Sequence, residues 1–154
     1  MKTDALVALL REQGKTVATA ESCTGGLIGK RLTDVSGSSA VYRGGVISYT
    51  IDVKRDVLGV PEAILAAHGA VSAETAQAMA EGVRMLIGAD YAVSSTGLAG
   101  PNGDGSGKPV GLVYLAVASA VKPTVVREYH FDGNREQIRL AAAEAAEQLL
   151  ADQI

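Results

Sequence analysis

The order of strand-like and helix-like segments constrains this chain most. Thr16–Ala20, Gly45–Thr50 and Tyr91–Thr96 are rich in β-branched and aromatic residues and read as strands. Helical patterns separate them. Thr24–Leu32 follows the first strand directly. Ser72 is placed to cap an amphipathic helix running to about Ile87, with Ala76, Met79, Ala80, Val83 and Ile87 on one face. Two later strands, Val110–Ala120 and Thr124–Phe131, are close enough to form a hairpin around Val121-Lys122-Pro123. Strands first spaced by helices and then joined tightly predict a mixed β-sheet with helices on both faces, a three-layer α/β/α sandwich.

The remaining segments fit that plan. Thr3–Gln13 carries Leu6, Leu9 and Leu10 on one face, with Thr3 as its cap and Gly14 as its stop. Asp52–Leu58 is a polar helical turn ended by Gly59, and Pro61 opens a helix that Gly69 stops. Asn134–Gln153 is an Ala-rich helix with Ile138, Ala142, Ala145 and Leu149 on its buried side. No repeat or linker divides the 154 residues, which predicts one domain, 1–154, large enough to bury a core unaided. With five Tyr, one Phe and no Trp, that core must be aliphatic.

Charge and composition exclude several function classes. A net charge of −3 without any basic run argues against nucleic acid as a partner, although a single nucleotide phosphate needs only one or two cations. The lone Cys23 excludes an internal disulfide, and His68 and His130 have no ligand-spaced neighbours, so neither a metal nor another cofactor is expected. The N-terminus lacks a secretory pattern, and the longest apolar stretch, Val110–Val121, is too short to span a bilayer. A soluble cytoplasmic protein without a membrane partner is the expectation. The Ala-rich helices make a homo-oligomer a possible assembly.

In sheets of this kind ligands sit where strands end and helices begin. Two glycine-bearing segments fall there, TAESCTGG (19–26) and TGLAGP (96–101). The first is not a P-loop, because Thr24 stands where that motif needs Gly and Arg31 where it needs Ser or Thr. On composition alone Gly100–Gly107 reads as a surface loop, and a calcium reading of Asn102, Asp104 and Ser106 lacks a closing carboxylate. Cys23 at a helix start could be reactive, but no base accompanies it, and a lone Cys is more often packing. Capping would account for one hydroxyl of Ser22 and Thr24. It leaves Glu21, the second hydroxyl, Gly25 and Gly26 unexplained.

A nucleophilic serine needs a base. A lysine of lowered pKa can serve, and a tyrosine can relay the proton, which draws in Tyr49 and Lys54. Arg135 and Arg139, at i and i+4, share a helix face and could grip an anion. For each of these side chains a solvated surface role is the competing account.

Six blocks occur in order from residue 19 to 139: TAESCTGG, VSGSSAVYRGGVISYT, LGV with HGAVS, STGLAGP, KPVGLVY and FDGNREQIR. Together they resemble the C-terminal domain of the competence/damage-inducible CinA family, which also occurs alone as a nicotinamide-nucleotide amidase. The length resembles the stand-alone form, without the N-terminal nucleotide-pyrophosphatase-like domain of two-domain members. The resemblance implies metal-independent deamidation of nicotinamide mononucleotide to nicotinate mononucleotide and ammonia. It implies a Ser/Tyr/Lys site that falls on Ser22, Tyr49 and Lys54, with Ser48 as the alternative hydroxyl.

On that basis Ser22 attacks the carboxamide, and Lys54 takes its proton directly or through Tyr49. The Lys54 pKa must then fall by about 3 from its reference near 10.4. Backbone N–H groups around Thr24, Gly25 and Gly26 are candidate oxyanion donors, each worth roughly 3 kcal/mol when well placed. The substrate phosphate is expected on the backbone of Thr96, Gly97 and Gly100 or on Arg135 and Arg139. Glu21 and Thr24 are placed on the substrate side. The competing class is a nucleotide-binding regulatory module that hydrolyses nothing.

Overall fold

The computed structural model describes all residues, Met1–Ile154. Strands β1 (Val17–Glu21), β2 (Tyr42–Ile47), β3 (Tyr91–Gly97), β4 (Leu112–Ser119) and β5 (Val125–His130) form one mixed sheet in the order β2-β1-β3-β4-β5. β1 runs parallel to both β2 and β3, while β4 is antiparallel to β3 and to β5. Helices α1 (Thr3–Glu12), α2 (Leu27–Thr33) and α6 (Arg135–Gln153) cover one face. On the other lie α3 (Ile51–Asp56), α4 (Glu62–His68) and α5 (Ala73–Ile87). The three-layer α/β/α architecture read from the element order is the observed one.

The two faces differ in thickness because strand alternation sorts side chains by size. Val17, Val93, Val113, Leu115 and Val117 meet Leu6, Leu10, Ile28, Leu32 and Ile138 in the larger core. The opposite face presents Ala18, Ala20, Ala92, Ala116 and Ala118. Small residues there let α5 approach closely, so that Ser94 Oγ donates to the Ala76 carbonyl at 2.6 Å. At Gly82 of α5 an added Cβ would lie 2.0 Å from the Leu58 carbonyl oxygen, so the segment after α3 packs directly on the α5 backbone.

Several element boundaries differ from the sequence reading, and three of the shifts have a local reason. β2 spans Tyr42–Ile47 instead of Gly45–Thr50: Thr50 Oγ1 accepts from Val53 N and caps α3, which takes Tyr49 and Thr50 out of the strand. α2 starts at Leu27, three residues late, because Gly25 and Gly26 have φ of +58° and +102°, outside the right-handed helix. β4 starts at Leu112 since Gly111, at φ +96°, abuts the Phe131 carbonyl. Thr3 also does not cap α1; Lys2 holds the cap position, and Thr3 Oγ1 donates to buried Glu147.

Candidate active site

A cleft of about 280 Å³ opens at the carboxyl ends of β1 and β3, where parallel strands leave the sheet. Ser22 and Cys23 follow β1, Gly97 closes β3, and Gly100 belongs to the loop after it. α3 and α6 contribute Lys54 and Arg135, so residues distant in sequence converge on one space.

Lys54 is the most unusual side chain of the molecule. It is 1% exposed, and no carboxylate pairs with it. Its Nζ donates to Ser22 Oγ at 2.8 Å and to the Ser48 carbonyl at 2.7 Å. Burial without a counter-charge lowers its pKa to about 8, a fall partly opposed by Cys23. Ser22 is itself 7% exposed and lines the cleft. A hydroxyl in contact with a lysine of lowered pKa has the parts that a serine nucleophile and its base require.

Cys23 has the opposite character. Burial pushes its thiol up to about 11, against smaller lowering by a Ser95 hydrogen bond. It stays a neutral thiol near pH 7, and its side chain packs in the larger core.

The structure separates the other candidates. Tyr49 is 60% exposed, and its hydroxyl accepts from Arg135 Nη2 at 3.0 Å instead of contacting Ser22 or Lys54. Of the two expected routes, direct or through Tyr49, only the direct one has its hydrogen bond in place, between Lys54 and Ser22. Ser48 is fully buried, and its Oγ makes no hydrogen bond; Lys54 reaches its carbonyl, not its hydroxyl. Thr96 lines the cleft but donates its hydroxyl to the Ala70 carbonyl at 2.6 Å. Gly97 and Gly100 also line it. A Cβ on Gly100 would come within 2.5 Å of Val110.

Glu21 and Thr24 turn away from the cleft. Glu21, 2% exposed, accepts from Thr24 Oγ1 and the Ile28 N–H, each at 2.8 Å, and from the Gly29 N–H at 3.0 Å. It thus caps α2, whose own N-cap Gly26 has no side chain to do so. Thr24 Oγ1 also bonds Ser95 Oγ at 2.7 Å. The placement of Glu21 and Thr24 with the substrate is corrected accordingly: they anchor the turn that carries Ser22.

Arg135 and Arg139 have different tasks despite sharing a face. Arg135 stands at the cleft mouth, donating to the Gly100 carbonyl at 2.7 Å and to Tyr49. Arg139 instead donates to the carbonyls of Cys23 and Thr24, each at 3.1 Å. Of the expected oxyanion donors, the Gly25 N–H is taken by the Ser22 carbonyl at 3.1 Å, whereas those of Thr24 and Gly26 have no protein acceptor; the Cys23 N–H, not among those expected, has none either.

Sequence reasoning missed Ser95, which joins Cys23 and Thr24, and Lys108, which donates to the His68 and Val71 carbonyls and ties down the glycine-rich loop. Both contacts need the third dimension. Asn102 and Asp104 of that loop line the cleft as well.

The chain as a whole is similar to known proteins. The family model of the CinA C-terminal domain matches residues 2–154. A CinA-like protein of Geobacter sulfurreducens is 51% identical over 142 residues, which cover 92% of this chain and 34% of the relative. The chain spans about a third of the length of the curated relatives it matches, as also with a CinA-like protein of Syntrophus aciditrophicus, 49% identical over 95% of this chain and 35% of that protein. Among solved structures, the competence/damage inducible protein CihA of Agrobacterium tumefaciens superposes with TM-score 0.93 at 42% identity, covering 99% of this chain and 95% of that one. A competence-damaged protein (CinA) superfamily protein of Escherichia coli gives 0.95 at 30% identity, over 99% and 88% of the two chains. Matched along its whole length in sequence and in fold, this chain belongs to the CinA C-terminal domain family.

Proposed function

We propose that the chain is a serine amidohydrolase that deamidates nicotinamide mononucleotide, releasing nicotinate mononucleotide and ammonia. One observation carries the hydrolase reading: the 2.8 Å contact between Ser22 Oγ and a buried lysine whose pKa lies near 8. An uncompensated buried lysine costs stability, and use of its neutral form as a base gives that cost a function. The substrate assignment draws on the resemblance of the TAESCTGG and STGLAGP blocks to the nicotinamide-nucleotide amidases.

Neutral Lys54 accepts the Ser22 proton as Oγ adds to the carboxamide carbon. The resulting oxyanion is held by the N–H groups of Cys23 and Thr24, which have no protein acceptor. The ammonium of Lys54 then returns a proton to the departing nitrogen, ammonia leaves, and water hydrolyses the acyl ester by the same route in reverse. Arg135 at the cleft mouth is the cation within reach of the nucleotide phosphate.

Ser22→Ala abolishes ammonia release from nicotinamide mononucleotide while the nucleotide still raises the melting temperature. Stabilisation of the unaltered protein by the nucleotide without ammonia would replace the enzyme with a binding module. Arg135→Ala raises KM about tenfold or more with kcat little changed, measured by steady-state kinetics; an unchanged KM would remove it from the phosphate site.

A further inference from the structure

Arg139 is half-buried, and no carboxylate pairs with it. It reaches from the first turns of α6 to the nucleophile turn and spends two donors on consecutive carbonyls, Nε on Cys23 and Nη2 on Thr24. Gly25 leaves room for it: a Cβ there would sit 3.0 Å from Nη2, and the residue holds φ +58°.

The consequence follows from peptide geometry. In a trans peptide the C=O and N–H point in opposite directions, so a cation on the oxygen polarises the N–H on the other side. The Cys23 carbonyl shares its peptide with the Thr24 N–H. The Thr24 carbonyl shares its peptide with the Gly25 N–H, which donates to the Ser22 carbonyl at 3.1 Å. The Ser22 carbonyl in turn shares its peptide with the Cys23 N–H. Two hydrogen-bonded chains therefore start at one guanidinium and end on the N–H groups of Thr24 and Cys23, which, like that of Gly26, have no protein acceptor.

We infer that Arg139 is a positioning residue for the oxyanion hole, fixing and polarising the Cys23 and Thr24 N–H groups beside Ser22. This rests on the reading of Ser22 as the nucleophile and takes Arg139 out of the substrate's anion site. Charge on the arginine side strengthens both donors where negative charge develops, so its effect falls on the transition state and not on substrate binding.

The test uses a reaction that does not depend on the nucleotide. A fluorophosphonate phosphonylates an activated serine: the Ser22 Oγ–P bond forms, the P–F bond breaks, fluoride leaves and the serine proton passes to Lys54. Label stoichiometry at completion counts folded sites, and the labelling rate reads oxyanion stabilisation. In Arg139→Ala we expect full stoichiometry, a labelling rate and kcat each lower by about tenfold to a hundredfold, and KM within about twofold. Arg139→Lys, which keeps the cation but loses the fork, is expected between the two, and it decides the matter if the alanine variant does not fold.

Unchanged labelling rate and kcat would overturn the inference. So would a raised KM at constant kcat, which marks a substrate contact, or a rate loss matched by lost stoichiometry, which marks a purely structural role. If the unaltered protein labels at Ser22 yet releases no ammonia, the substrate reading fails alone, and the labelling rates still judge Arg139.

Discussion

Lys54 shows how a site can be present in a sequence and hidden there. The stretch IDVKRD looks like a solvated polar turn, and nothing in it signals that one of its charges lies fully buried 32 residues from its serine partner. Resemblance named the residue; only packing shows its state. With a pKa near 8, the protonated form dominates at pH 7, whereas the proposed hydrolysis uses the neutral one. The rate kcat/KM should therefore rise about tenfold per pH unit below pH 8 and level off above it, as followed by ammonia release. A profile flat from pH 6 to 9 would exclude Lys54 as the base. Lys54→Met should abolish activity and raise stability. The pKa falls from 10.5 unfolded to about 8 folded, so the unfolded chain holds the extra proton between those values. The folded state carries a penalty of roughly 3 kcal/mol at pH 7 that disappears as pH rises through that window. The stability advantage of the methionine variant, measured by denaturant unfolding, should shrink over the same range. An advantage that is absent at pH 7 would refute the buried, uncompensated charge.

At the scale of elements, the turn that carries Ser22 owes its shape to residues that face away from the cleft. TAESCTGG reads as a set of ligand-binding atoms, yet most of them hold each other. Glu21 occupies both carboxylate oxygens in capping α2, while Thr24 and Ser95 complete a buried polar cluster. The sequence displays the strand-to-helix transition but not where the helix starts, because a glycine pair can either begin a helix or delay it. Here both glycines adopt positive φ and delay it. A cap supplied from the preceding strand, seven residues before Ile28, follows no local capping pattern and is invisible to one. Glu21→Ala should cost about 2–3 kcal/mol, because it leaves two buried N–H groups unpaired and removes one of the two partners of the Thr24 hydroxyl. It should lower kcat while nucleotide affinity at the remaining folded sites is kept. Loss of affinity with stability intact would return Glu21 to the substrate.

At the scale of the molecule, the sandwich plan was legible because strand and helix periods alternate cleanly, and the unequal faces can be traced in the same strands. VATAE and LVYLAVAS place alanines at alternate positions, yet the sequence does not say which helices cover the alanine side. The structure puts the α3–α5 layer there, and this matters for the chemistry. Leu58 and Val60, just after α3, form one cluster with Ala18 and Ala20, so α3 sits low enough on the sheet for Lys54 to meet Ser22 beyond the end of β1. Ala116 lies on the same face but packs with Ala76 and Ala80 of α5, away from α3. Enlarging either alanine to leucine overpacks a tight layer and should cost about 1–3 kcal/mol. Only Ala20→Leu should also lift α3, and a displacement near 1 Å at a reacting pair can cost about a hundredfold in rate. At a temperature where both variants are folded, Ala20→Leu should show a much reduced kcat and slow fluorophosphonate labelling, with Ala116→Leu close to the unaltered protein in both. Equal kinetic effects from the two substitutions would mean that the thin layer serves stability alone and does not set the distance between lysine and serine.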